Sequence, residues 1–331
     1  MSEFKESRYE SMQYNRCGKS GLMLPKISLG CWHNFGAPDN LSEAKKMLSY
    51  AFNNGITHFD LANNYGPPPG HAETYVGKIL SEEFSAHRDE LIISSKAGYR
   101  MGPGPYGEWG SKKNLISSCD QSLKRLKLEY VDIFYSHRFD PNTPLEETIS
   151  ALDQIVRQGK ALYIGISNYD PESTLKAIQI AKELGTPITI HQPNYNMLNR
   201  TVEKGLLDTC ANNGVGMIVF CPLAQGLLTD KYLESIPAES RIDKAHGFLG
   251  KSQLTEGKIQ MLKELNEIAK SRNQSLAQMA LSWVARHDAV TSVLIGASKV
   301  SQIADNLKIL SANQLSTDEL MAIENCLVSN E

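Results

Sequence analysis

The chain reads as an α/β protein built on a closed (β/α)8 barrel, the TIM-barrel architecture. Three observations predict it. Eight short apolar runs recur along the sequence, amphipathic stretches separate them, and no glycine-rich phosphate turn follows an early run. Runs rich in Ile, Val, Leu and Phe suit strands covered on both faces. Eight of them with intervening helices match the count a closed barrel requires. A doubly wound open sheet is the main rival, and it would normally show GxGxxG or GxxxxGK between an early strand and the helix it feeds. GxxxxGK does not occur, and the single GxGxxG, Gly102 to Gly107, lies in a proline-containing loop several residues beyond the third run.

Taken in order, the strands fall at 27–30, 57–62, 91–96, 131–137, 161–167, 188–192, 217–221 and 292–296. Helical spacing marks 41–54, where Ala44, Met47, Leu48, Ala51 and Phe52 share one face. The other helices are expected at 72–84, 112–126, 145–157, 171–184, 200–213 and 276–286. Ahead of the first unit, 14–17 and 21–24 flank Gly18 to Gly21 and read as a hairpin plugging the barrel's N-terminal end. Three loops are too long to be simple connectors, 98–111, 223–255 and, less so, 65–71, and long loops in compact domains tend to be functional. The second is expected to carry a lid. The stretch 317–327 reads as an extra C-terminal helix. The whole, 1–331 with its core at about 14–310, is expected to be one domain, since barrels of this kind exceed the usual domain length.

Composition narrows the function. With 41% hydrophobic and 21% charged residues the chain is of ordinary globular type. A formal net charge of −3 offers no basic surplus, which disfavours nucleic acid as a partner. The six cysteines form neither a CxxC nor a Cys/His ligand pattern, so no metal and no disulfide framework is expected. The charged first ten residues do not read as a signal peptide. No apolar run approaches the ~20 residues needed to span a bilayer, so no membrane is expected and a cytoplasmic location is.

Barrel enzymes carry their chemistry at the C-terminal ends of the strands. Strand two ends at Asp60 and runs on to Tyr65, strand three ends in Lys96, and strand four in His137-Arg138. An acid, a phenol, an amine and an imidazole on successive strands would meet at one mouth. A phenol with an ordinary pKa near ~10 is a poor acid at neutral pH. A neighbouring ammonium held by Asp60 is expected to lower that value, while His137 orients a substrate carbonyl. Each residue alone has an innocent explanation: a structural ion pair for Asp60 and Lys96, a core imidazole for His137, a surface ring for Tyr65. Their conjunction carries the weight.

The segments 55–66 (GITHFDLANNYG) and 128–137 (LEYVDIFYSH), with Lys96 closing strand three, resemble the motifs of the aldo-keto reductase superfamily in the right order. The resemblance runs from about 14 to 309. It implies Asp60, Tyr65, Lys96 and His137 as the catalytic four, NADPH as the cofactor and a small aldehyde as the substrate. Trp32 to Gly36, Asn64 to Gly70, Lys96 to Tyr99, Gly104 to Gly107 and Pro222 to Thr229 point to a bacterial branch acting on glyceraldehyde 3-phosphate or methylglyoxal; the potassium-channel β-subunits are more distant.

By the same resemblance Trp32, Asp60, Ser167, Asn168, Gln192 and Phe220 would face the nicotinamide. Cys221, Leu223, Gln225 and Gly226 would line the pyrophosphate path, with Lys231 and Arg241 as phosphate partners. Gly296, Ser298, Gln302, Asp305 and Asn306 would form the adenosine 2′-phosphate site, where the start of a helix suits an anion. Many family members carry Lys and Arg where this chain has Ala297 and Gln302, which weakens the case for NADPH over NADH but not for a dinucleotide. Lys299 lies nearby; alone it reads as a surface lysine. Trp32, His33, Tyr65, Trp109, His137 and Arg138 are the candidates for the substrate pocket, with Arg138 a bidentate donor to a phosphate. The resemblance is compatible with a homotetramer or a homo-octamer, and no sequence feature chooses between them. Two rival readings stand beside the reductase: a cofactor-sensing subunit without turnover, and an aldolase using Lys96 as a Schiff-base nucleophile.

Overall fold

In the computed structural model, which describes residues 4–36, 41–233 and 254–328, eight parallel strands close into a barrel. A two-stranded antiparallel hairpin, β1 (Tyr14–Arg16) and β2 (Met23–Pro25), precedes them. The barrel strands are β3 (Ile27–Gly30), β4 (His58–Asp60), β5 (Ile92–Ala97), β6 (Val131–Ser136), β7 (Ala161–Ser167), β8 (Ile188–Gln192), β9 (Gly216–Val219) and β10 (Val290–Gly296). Each pairs with the next in sequence, and β10 pairs with both β9 and β3. The predicted fold class is the one observed.

Helices follow the strands as expected: α1 (Leu41–Phe52), α2 (His71–Glu83), α3 (Lys112–Leu126), α4 (Leu145–Arg157), α5 (Pro171–Glu183) and α6 (Leu206–Asn213). Local chemistry sets several of their starts. Ser111 accepts from Asn114 N and Asp170 from Ser173 N, each satisfying a first-turn N–H that a helix start leaves bare, and Pro171 occupies the first turn of α5. The helix expected over 200–213 is shorter. Gly205, with φ 98°, separates a 3-10 turn at Thr201–Glu203 from α6.

A larger difference lies between β9 and β10. The sequence reading assigns one helix there, yet α7 (Glu256–Ser271) precedes α8 (Leu276–Ala285). Met261, Leu262, Leu265 and Ala269 lie on one buried face of α7 at helical spacing, and Thr255 caps it. Two more helices complete the chain, α9 (Val300–Leu307) and the expected C-terminal α10 (Thr317–Val328).

Strand alternation sorts the buried side chains into two cores. Residues such as Phe59, Ile93, Phe134, Ile164, Ile166 and Val219 face outward into a continuous layer between the wall and the helices. Ile133, Tyr135, Ile190, Ile218 and Leu294 face inward and meet Cys17, Leu22 and Leu24 from the hairpin. The hairpin therefore closes the lower end of the barrel, as its position predicts. Tyr135 fits only because β7 offers Gly165 beside it: a Cβ there would stand 2.4 Å from the Tyr135 ring.

That close approach generates a stability prediction. Gly165→Ala should destabilise the fold by about 1–3 kcal/mol, the cost of overpacking a filled interior. Denaturant unfolding measures it, and an unaltered midpoint would mean that Tyr135 has room to move.

Candidate active site

The mouth of the barrel is organised by register. Asp60 ends β4 opposite Ser94 of β5, and Lys96 lies two residues further along the same inner face. Both charged side chains are 0% exposed, and Lys96 Nζ donates to Asp60 Oδ2 at 2.5 Å and to the Leu61 carbonyl at 2.7 Å. The other carboxylate oxygen, Oδ1, accepts from Ser94 Oγ at 2.6 Å and from Gln192 Nε2 at 3.1 Å. Burial lowers the Lys96 pKa, and the Asp60 charge opposes that shift. With its amine engaged by two acceptors and sealed from solvent, Lys96 is not disposed as a Schiff-base nucleophile.

Tyr65 sits over this pair, its ring centroid 5.0 Å from Lys96 Nζ. Its backbone is tied to the start of α2, with the Tyr65 carbonyl accepting from Gly70 N at 3.0 Å. Trp32 stacks on one side at 5.2 Å, and His137 meets it edge-on at 5.8 Å. Contrary to expectation, the phenol pKa is driven well above its ordinary range. Burial is the largest cause, with the Asp60 charge adding to it. The nearby lysine does not outweigh these two. His137 goes the other way: burial, then the positive charges of Lys96 and Arg138, hold its imidazole neutral.

The residues expected around a nicotinamide are brought to the same place. Asn168, in the left-handed region at φ 57°, donates to the His137 carbonyl at 3.1 Å and to Ser167 Oγ at 3.1 Å. Ser167 donates in turn to the Gln192 carbonyl at 2.7 Å, and Gln192 reaches Asp60. Phe220 follows β9 directly and bridges to Asn194, packing against the inner core. Cys221 is near enough for its charge to bear on Tyr65. Beyond Leu223, Ala224, Gln225 and Gly226 all have positive φ, as does Cys221, a run of left-handed backbone.

A second group lies apart, around the ends of β10 and α9. Gly296 closes β10, and Gln302 accepts from both Ser298 N at 2.8 Å and Ser298 Oγ at 3.1 Å. Asn34 joins this region to the mouth by donating to the Ala297 carbonyl at 2.8 Å. Asp305 accepts from Gln278 at 2.8 Å and pairs with Lys308, while Asn306 is buried. Lys299 stands just before α9. Lys231 is exposed and lines a cleft with Asp230, Asn266, Lys270 and Ser275, away from the Asp60 pair. Arg241 lies outside the described residues.

Arg138 adjoins His137, but its guanidinium is already engaged. It donates to the Gly98 carbonyl at 3.1 Å, pairs with Glu108 and lies over the rings of Trp109 (3.6 Å) and Tyr99 (4.4 Å). His33 stacks on Trp32 at 4.1 Å. Tyr99, which meets His137 edge-on at 4.6 Å, was not among the expected site residues. Neither were Ser94, or Glu73, which accepts from Ser95 and Arg125 and so anchors α2 beneath the Tyr65 loop. The signal for Ser94 is the inward phase it shares with Lys96, two positions on; Tyr99 follows Lys96 at the same mouth.

Fold and site together define a barrel oxidoreductase. The sequence model of the Aldo/keto reductase family matches residues 26–328, and the chain belongs to that family. Its relatives include the L-glyceraldehyde 3-phosphate reductase of Escherichia coli K12, 58% identical over 329 residues, covering 98% of this chain and 95% of that protein. The probable voltage-gated potassium channel subunit beta of Arabidopsis thaliana is 36% identical over 311 residues, covering 92% and 93%. Enzymes of this family work with a nicotinamide dinucleotide, and the chain is such an oxidoreductase. No helix among the described residues is long and apolar enough to cross a membrane.

Burial holds His58 and His191 down to about 4 and His137 well below its ordinary range. The unfolded chain binds a proton on each below about 6.5, whereas the folded chain does not until far lower. Stability is therefore present above about pH 6.5 and lost as the pH falls, by about 1.4 kcal/mol per unit for each such histidine. Urea titrations between pH 7 and 5 should show this slope, and His191→Gln should reduce it by one proton. An unchanged slope in that variant would mean that His191 titrates while folded.

Proposed function

We propose that the chain reduces small aldehydes with NADPH, L-glyceraldehyde 3-phosphate and methylglyoxal among them, with Tyr65 as the proton donor. The observation that carries this reading is the placement of the Tyr65 phenol over the buried Asp60–Lys96 pair, walled by Trp32 and His137. The name and 58% identity of the Escherichia coli reductase support the phosphorylated aldehyde.

The residues present suit a nicotinamide dinucleotide. Asn168, Ser167 and Gln192 offer amide and hydroxyl groups at the mouth. NADPH supplies the hydride when bound. Around it this chain's own groups divide the remaining work. Tyr65, kept protonated by burial, holds its proton until an alkoxide develops nearby and then gives it up. Lys96 stabilises the phenolate left behind, and Asp60 keeps Lys96 charged and in place. His137, held neutral, donates to the substrate carbonyl oxygen without competing for the proton. Trp32 and Tyr99 exclude water from the corner. Arg138 presents its remaining donor at the rim, where a phosphate would displace Glu108.

Tyr65→Phe should lower NADPH-linked aldehyde turnover by about 10²–10⁴-fold, the range for a lost general acid, and Lys96→Met should be similarly damaging. Assay of both variants on an aldehyde panel with NADPH and NADH checks this. Turnover unchanged in Tyr65→Phe rejects the assignment, and a wild type that turns over nothing without a partner favours the cofactor-sensing reading.

Arg138→Ala should raise KM for phosphorylated glyceraldehyde by about tenfold or more, as expected for a lost charge-assisted bond, with little effect on unphosphorylated glyceraldehyde. Equal effects on the two substrates would show that Arg138 only clamps its loop.

A further inference from the structure

Behind the Asp60–Lys96 pair a line of polar side chains runs down one inner side of the barrel. Asp60 Oδ1 contacts Ser94 Oγ at 2.6 Å, and Ser94 Oγ contacts His58 Nε2 at 2.9 Å. His58 Nδ1 contacts Ser28 Oγ at 3.0 Å, Ser28 contacts Ser292 Oγ at 2.7 Å, and Ser292 reaches the Pro25 carbonyl at 2.6 Å. Every one of these side chains is buried.

Counting hydrogens along this line fixes the state of His58. A carboxylate accepts only, so the single Ser94 hydrogen is committed to Asp60. Ser94 can then only accept from His58, and Nε2 must bring its own hydrogen. Burial disfavours the charged imidazolium and takes His58 down to about 4, so one hydrogen is what the neutral ring has to give. Nδ1 is therefore the acceptor, and Ser28 its donor. With a neutral imidazole, four hydrogens serve five contacts. The contact left without one belongs at the far end, around Ser292, because bonds to an ionised acceptor are the stronger ones.

We propose that His58 is a positioning residue of this site: a neutral imidazole, protonated on Nε2, that turns the Ser94 hydroxyl onto Asp60 and so holds that carboxylate ionised against Lys96. This rests on the reading of Asp60 and Lys96 as the pair that supports Tyr65. Without the imidazole N–H the Ser94 hydroxyl is free to rotate away, and a proton competes better for Oδ1. As the pH falls, Lys96 then loses its counter-charge sooner. The other titratable groups facing the pair are Tyr65, Tyr135 on β6, Cys31 after β3 and, through Lys96, His137 after β6 and Glu73 on α2. His58 itself feels only Asp60 and Lys96 as charges.

The direct test is the 15N NMR spectrum of histidine-labelled wild-type protein, with His58 assigned by loss of its signals in His58→Gln. Protonation on Nε2 and a bare Nδ1 are expected; the opposite tautomer, or two protonated nitrogens at pH 7, overturns the proposal whatever the turnover. In kinetics, His58→Leu should move the acid limb of kcat/KM upward by about one pH unit, the scale of one lost bond to a charged group. Its kcat at pH 7 should fall with KM little changed. His58→Gln, whose amide can still donate to Ser94, should restore the limb, and Ser94→Ala should reproduce His58→Leu without adding to it. An unshifted limb in His58→Leu, or full additivity of the two changes, also overturns it. Should His58→Leu fail to fold, the wild-type tautomer and Ser94→Ala still decide. Activity retained in Tyr65→Phe would remove the reading beneath while leaving the tautomer result intact.

Discussion

A lysine and an aspartate, both sealed from water at the floor of the barrel mouth, constrain the rest of this structure. Each charge left alone in such a place would cost about 3–5 kcal/mol, so the pair exists only if every neighbour cooperates. The neighbours do. Oδ1 of Asp60 is shared by Ser94 and Gln192, Oδ2 is taken by Lys96, and the second lysine contact is the Leu61 carbonyl. These contacts come from three strands, and they hold only in the observed register. A slip of one residue between β4 and β5 would send Asp60 or Lys96 to the outer face, among apolar side chains.

The same requirement divides the inside of the barrel lengthwise. Strands β6, β8, β9 and the upper part of β10 contribute Ile133, Tyr135, Ile190, Ile218 and Leu294, which pack as an ordinary apolar core. Strands β3, β4 and β5, with Ser292, contribute hydroxyls, an imidazole and the charges. Tyr135 stands at the border. Its ring lies 5.6 Å from Lys96 Nζ, and its space is provided by the missing side chain of Gly165. A barrel filled entirely with aliphatic residues would be easier to stabilise but could not carry the ion pair.

Much of this was legible in the sequence, for a physical reason. Buried parallel strands leave short apolar runs, and whatever polar residue ends such a run must be explained, which singled out Asp60, Lys96 and His137. Tyr65 lies in a loop, where no periodicity constrains it, so only the motif marked it. Helix α7 went unread although Met261, Leu262 and Leu265 carry its spacing, because it adds to the strand–helix alternation instead of continuing it. The sign of the Tyr65 shift was also missed. Spacing indicates that a lysine is near, but not that burial and the Asp60 charge outweigh it at the phenol. Likewise the partner of Arg138 is Glu108, 30 positions earlier in a long loop, a pairing that no local pattern encodes.

The hairpin stopper has a consequence for traffic. With Cys17, Leu22 and Leu24 wedged into the base, the barrel is blocked from below. Among the described residues that end is filled, so whatever meets Tyr65 comes from the side where the strands finish.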